Sequence, residues 1–389
     1  MDAFIEAVGK GIGGGAVGAA VVIALLYMSK SAVAAAVGQA AKVELAELKG
    51  ALDRNLELFK TERAKAEQLV AAYERYTDPL LSSASGLFFR LREIVETDRG
   101  RYLSPKAPPT TFAKYKRIST QYRIALVLGW TRALARELSY WKPNEQRPAK
   151  GIHDALMAFE QALADGEHIE LLRLDGLKKL WKLEVPAAKA KGAGLIVESA
   201  MDSVLLEQGV REDAYHTFWQ ADPPRKMALC ERVAEALTAY LGLPSVERTE
   251  LERVLDEACE VITIREAWVF RDWQSSIGDM MLRPIDGGVR RFDLIGYREC
   301  EDLALSTNDP KARWVQRLEA VFLDLDMGQA EDDARVLQVR NVYVATAKLV
   351  VALTEHLGAS AEVHAPVRAA AEAALAPTTI GSDAAQAVS

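Results

Sequence analysis

Cysteine is scarce: Cys230, Cys259 and Cys300 are the only three in 389 residues. They are isolated from one another and odd in number, which suits a reducing compartment and provides no Cys-x-x-Cys redox or zinc pair. Histidine is equally thin. None of His153, His168, His216, His356 and His364 has another His or Cys three or four positions away, so local spacing excludes a helical zinc site. Cys/His catalysis between distant partners stays open. The chain also lacks a Gly-x-x-x-x-Gly-Lys-Ser/Thr loop and a Gly-x-Ser-x-Gly elbow, the usual marks of P-loop phosphoryl transfer and of α/β hydrolases. The reading is no cofactor, no metal and no enzyme signature. Positive charge is not in excess either: the net charge of -7 leaves no general basic surface for phosphate neutralisation, so no nucleic-acid partner is expected.

What is present begins near the N-terminus. From Gly11 to Ser29 no residue is charged, and Lys10 and Lys30 bound the run. At ~1.5 Å per residue it matches the ~30 Å hydrocarbon thickness of a bilayer. The leading Met1 to Lys10 carries two acids and one base, unlike the positive start of a secretory signal, although Ser31 to Ala36 would offer a peptidase small residues. Lys30, Lys42, Lys49, Arg54 and Lys60 follow the span, so the positive-inside bias puts the N-terminus outside and the body in the cytoplasm of a single-pass inner or plasma-membrane protein. Gly11 to Gly15 and Gly14 to Gly18 are small-xxx-small pairs, which let two helix backbones approach in lipid; the alternative is the ordinary abundance of Gly and Ala in membrane helices. Gly13-x-Gly15-x-x-Gly18 also spells a dinucleotide fingerprint. No strand precedes it and no βαβ unit follows, so that reading is rejected.

The remainder reads as helices. Leu45, Leu48, Leu52, Leu56, Phe59, Ala66, Leu69, Tyr73 and Tyr76 recur mostly at three and four, which predicts a long amphipathic stalk helix, with Glu62-Arg63 interrupting a clean heptad. Asp78-Pro79 reads as a new helix start. Further helices are expected over 80–96, 112–141, 151–164, 190–208, 225–241, 245–276, 311–325 and 329–357, and the polar tail after Pro377 as disordered. The fold class is thus all-α: a single N-terminal transmembrane helix (1–37), the stalk (38–77), a cytoplasmic body in two helical parts (78–185 and 186–376), and a tail (377–389).

Several segments are scattered along the chain in this order: Tyr76-Thr77-Asp78-Pro79-Leu80-Leu81 with Arg90-Leu91, Gln121-Tyr122-Arg123, Leu128-Gly129-Trp130, Arg136-Glu137, Val269-Phe270-Arg271 with Gln274, Ile277-Gly278-Asp279-Met280-Met281, Ile295-Gly296-Tyr297, and Trp314 with Leu318. In these the chain resembles a group of uncharacterised bacterial and fungal helical proteins with no assigned activity. The resemblance implies fold and membership, not chemistry. Where that group suggests a Gln-Arg-Ala-Ile-Gly-Glu-like run, this chain has Gln274-Ser275-Ser276-Ile277-Gly278-Asp279, one basic residue fewer.

The candidate ligand-binding set is Arg90, Arg136, Glu137, Arg271, Gln274 and Asp279, because charges inside apolar helices must find partners or water. In one reading arginines converge on an anion, with Gln274 and Gly278 allowing close approach; in the other these residues form interhelical ion pairs that fix register. Lys114, Lys116, Arg117 and Arg123, and Arg173, Lys178, Lys179 and Lys182, read as solvated helix faces or as contacts to anionic lipid. The tryptophans read as core anchors. The functional expectation is a membrane-anchored, non-enzymatic helical scaffold or sensing protein, able to self-associate through anchor and stalk, with an unknown protein partner. The alternative is a stress or defence effector whose glycine-rich anchor, through Gly11, Gly14, Gly15 and Gly18, oligomerises and perturbs the bilayer.

Overall fold

A computed structural model describes residues 39–97, 99–138, 150–164, 166–328 and 333–376. The anchor with Gly11, Gly14, Gly15 and Gly18, Trp141 and the polar tail after Pro377 lie outside the described residues. The fold is predominantly helical. The chain divides into two compact units, Met1–Leu69 and Val70–Ser389.

Helix α1 runs Gln39–Val95 without a break, although Pro79 lies inside it. The expected helix start at Asp78-Pro79 is therefore not one. Proline forfeits one backbone hydrogen bond, but Tyr76, Leu80 and Leu81 on either side are at most 1% exposed, and burial of such side chains at roughly 1.5–3 kcal/mol each outweighs that loss. Within the first unit the same helix leaves Leu52, Leu56, Leu58 and Phe59 in solvent, between 39% and 62% exposed.

In the second unit, after a 3₁₀ turn at Arg99–Leu103, come α2 (Thr111–Leu138), α3 (Lys150–Ala164), α4 (Glu167–Trp181), α5 (Ala187–Glu207), a 3₁₀ segment at Glu212–Gln220, α6 (Pro223–Leu241), α7 (Arg248–Arg253) and α8 (Leu255–Ile262). Then follow α9 (Arg271–Met281), strands β1 (Leu282–Pro284) and β2 (Phe292–Leu294), α10 (Tyr297–Leu305), α11 (Ala312–Phe322), α12 (Ala334–Leu357), a 3₁₀ turn at Gly358–His364 and α13 (Ala365–Leu375). Strands β1 and β2 form a short antiparallel hairpin with Arg283 opposite Asp293. Its Pro284 and Gly287-Gly288 read as loop in the sequence because three-residue strands are too short to show a period.

The second unit packs as two groups. Helices α4, α5, α6 and α8 enclose one core around Leu177, Val197, Leu205, Cys230, Val233, Leu237 and Cys259. Gly194 lets α5 lie close on α4: a Cβ there would sit 3.0 Å from that of Glu170. Elsewhere α12 packs on α3 and α13, while α9, α10 and α11 pack on α2. Among the described residues, α12 is the one helix long and apolar enough to cross a membrane, but 61% of its apolar window is buried. Its position among α3, α11 and α13 makes it the body's central helix.

One expected long helix is interrupted. The 3.6-residue pattern over 245–276 breaks into α7, α8 and α9, with 264–270 outside any helix. Tertiary hydrogen bonds hold that link: Val269 N donates to Leu163 O at 3.1 Å, and Ala334 N donates to Arg265 O at 2.9 Å. Arg173 is a second departure. It is grouped by sequence with solvated lysines, yet it is 1% exposed; Lys179 and Lys182 do face solvent. Of the tryptophans, Trp130 and Trp181 are buried, whereas Trp219 is 47% exposed.

Candidate functional site

The six candidate residues fall in three places. At the first, α2 and α9 cross closely because each contributes a glycine: a Cβ on Gly278 would meet the Arg132 Cβ at 2.7 Å and the Leu128 carbonyl oxygen at 2.9 Å, and one on Gly129 would meet the Met281 Cβ at 2.9 Å. Asp279 then faces two arginines one helical turn apart. Arg132 Nε donates to its Oδ1 at 2.6 Å and Nη2 to Oδ2 at 3.2 Å, while Arg136 Nη2 lies 3.0 Å from Oδ1. Burial alone would raise the Asp279 carboxyl, but the hydrogen bonds from Arg132 and Arg136 outweigh it and hold the group below the ordinary carboxylate range. Glu137, next along α2, turns to different partners. It accepts from Arg75 Nη1 of α1 at 3.2 Å and lies 4.0 Å from Arg291 Nε. Arg290, beside it, covers the Trp130 ring at 5.3 Å.

Replacing Gly278 by Ala is expected to cost about 1–3 kcal/mol, since the Arg132 Cβ and the Leu128 carbonyl oxygen, neither of them a flexible side-chain tip, occupy the space the methyl needs. Denaturant unfolding checks this, and an unchanged midpoint would refute the close crossing.

At the second place Gln274 and Arg271 join the N-terminus of α9 to α3. Gln274 is 3% exposed and its Nε2 donates to Glu160 O at 2.8 Å and Val269 O at 2.7 Å. Arg271, exposed, donates through Nη2 to Gln161 Oε1 at 2.7 Å. Beside them runs an aromatic file: Trp268 stacks on Phe270, Phe270 meets Trp273 edge-on, and the Arg317 guanidinium sits 3.8 Å from the Trp273 ring centre. Gly166 accommodates the Trp268 ring, which would lie 1.9 Å from an added Cβ.

At the third place Arg90 of α1 faces α2. It is 7% exposed and donates through Nη1 to Glu93 Oε2 at 3.0 Å, and Lys116 Nζ reaches the same oxygen at 3.0 Å. Burial acts to raise the Glu93 carboxyl, but the Lys116 hydrogen bond and the charge of Arg90 bring it below its usual range. Arg123, one further turn and more along α2, approaches the same face of α1 with its guanidinium over Gly86.

Arg136 and Asp279 are therefore brought together; Arg90 stands apart from both, as do Arg271 and Gln274. The residues that complete these clusters, Arg75, Lys116, Arg123 and Arg132, were not in the candidate set. Lys116 and Arg123 carried a signal as part of a basic run and Arg132 by lying one turn from Arg136, but Arg75, fifteen positions from Arg90 on α1, carried none. No family model, curated protein or solved structure matches the chain.

Proposed function

We propose that this chain is a membrane-anchored, non-enzymatic helical interaction protein, and that its N-terminal helix pairs with a second copy of itself. The observation that carries this is a seam with two fates. In heptad spacing Leu52, Phe59, Ala66, Tyr73 and Leu80 occupy equivalent positions on α1. Within the second unit Tyr73 and Leu80 are 5% and 1% exposed; within the first, Leu52 and Phe59 are 39% and 57% exposed. An uncovered continuation of a buried seam calls for a partner. A second copy fits because the preceding small-xxx-small glycines favour close pairing of neighbouring helices in lipid, and because Asn55, polar at a seam position, favours one register. The uncharged run over 11–29 and the lysines after it support a single-pass anchor with the body in the cytoplasm.

Thiol cross-linking in native membranes tests the pairing directly, since Cys230, Cys259 and Cys300 are all buried. Leu52→Cys and Phe59→Cys are expected to give a dimer band, while Glu57→Cys, on the opposite face, gives little. Equal bands at positions 52 and 57, or none at either seam position, would overturn the pairing.

A further inference from the structure

Arg123 is a half-buried cation with Glu93 near it but in direct contact with no carboxylate among the described residues. It makes no hydrogen bond or ion pair among the described residues, and its Nε is buried. Its Nη1 lies 2.8 Å from where a Cβ on Gly86 would sit, so the missing side chain at position 86 leaves room for the guanidinium against α1. One turn along α1 from Gly86, Arg90 likewise has a buried Nε with no partner. Burial, and then the charge of Arg90, push the Arg123 pKa down: the cation is held against both desolvation and repulsion.

The charges nearby give the sign of the imbalance. Arg90, Lys116 and Arg123 all act with Glu93, on which the charge of Arg99 bears as well, and two of them already share a single oxygen of it. Around this carboxylate the cations are in excess among the described residues. Phe112 is exposed beside the cluster, with Lys116 Nζ 5.5 Å from its ring centre, and exposed Tyr115 acts on Arg123. Guanidinium groups present planar donor pairs that suit tetrahedral oxyanions, and a dianion would offset the excess of positive charge.

We propose that Arg90, Lys116 and Arg123 form a binding site for a phosphate-class dianion, supplied by a soluble phosphate monoester or by an anionic lipid headgroup. The site uses none of the residues of the pairing seam, so it stands or falls independently of it.

The test is thermal unfolding of the full-length chain reconstituted in phosphatidylcholine vesicles. Two ligands are compared at matched ionic strength: a nucleoside monophosphate added to the solution, and phosphatidic acid mixed into the vesicles. Either should raise Tm. A rise with the nucleotide alone assigns the site to soluble phosphate, and a rise with phosphatidic acid alone assigns it to lipid. Arg123→Gln should raise the half-saturating concentration by at least ~10-fold, the effect of losing a charge-assisted hydrogen bond worth roughly 1.5–3 kcal/mol. Its unliganded Tm should stay level or rise, because the repulsion with Arg90 is relieved. Lys116→Gln, nearer solvent, should weaken the response as well. No shift with either ligand, or a shift that survives both substitutions, would overturn the proposal.

Discussion

Replacing Arg335 by Met is expected to remove about 3–5 kcal/mol of stability, a large part of the ~5–15 kcal/mol that holds an ordinary domain folded. Arg335 has no exposed surface. Its guanidinium forks onto Asp333, with Nε 2.9 Å from Oδ1 and Nη2 2.6 Å from Oδ2, and Nη1 donates to Ala320 O at 2.8 Å and Leu323 O at 2.7 Å. The two carbonyls belong to the C-terminal end of α11, which this one side chain ties to the start of α12. Truncation leaves a carboxylate that is 10% exposed without its cation, and leaves those carbonyls without donors. The cost comes mostly from the orphaned charge, and that gives the prediction its control. Asp333 also caps α12, accepting from Arg335 N at 3.0 Å, a role Asn can keep. The double variant Arg335→Met with Asp333→Asn should therefore recover a good part of the loss in denaturant unfolding. A single-variant loss under about 1 kcal/mol would show that the pair is dispensable.

Arg173→Met should be comparably severe, and its effect should grow with pH. Arg173 is 1% exposed; Nη2 lies 2.7 Å from Glu266 Oε1 and Nε donates to Ile262 O at 3.0 Å, joining α4 to the end of α8. Around it stand Glu170, Glu198, Glu266 and Asp202. Burial pushes the Glu198 carboxyl up to about 7, with Arg173 pulling it down and the neighbouring acids pushing it further up. A carboxyl whose folded pKa is raised holds its proton more tightly in the native state. Its favourable contribution is complete below the ordinary value near 4.5 and is lost as pH rises towards 7. The native chain should thus lose Tm between pH 5 and pH 8, and Glu198→Gln should flatten that slope. Arg173→Met removes the cation that draws the Glu198 carboxyl down, so its deficit should be larger at pH 8 than at pH 5. Calorimetry at the two pH values decides; a deficit independent of pH would remove Arg173 from the electrostatics of this cluster.

Most helices were legible because their apolar residues face one core at a 3.6-residue period: Leu156, Phe159 and Leu163 on α3, or Leu229, Val233 and Leu237 on α6, are buried where the spacing puts them. The misses have specific causes. At Pro79 a local breaker is overruled by burial of Tyr76, Leu80 and Leu81, which sequence punctuation does not weigh. Over 264–270 the period persists but the backbone leaves the helix for partners in α3 and at the start of α12, more than 60 positions away in the chain. The clusters were harder still. Asp279 and Arg136 were each visible as charges on apolar helices, yet Arg132 and Asp279 are 147 residues apart and nothing local pairs them. Arg173 looked like one of a run of surface cations because its neighbours Lys178, Lys179 and Lys182 share its charge. Only its position on the α4 face turned towards α8 separates it from them.

The three buried cysteines turn the body into an instrument for timing its own opening. Burial pushes the Cys230 and Cys300 thiols up to about 12 and that of Cys259 to about 11, so alkylation waits on exposure. Cys230 and Cys259 sit in the α4–α8 core, whereas Cys300 lies in α10, against α2 and α11. Labelling kinetics followed site by site would therefore report separately on the breathing of the two helical groups, and would show whether they open together as one cooperative body or as two.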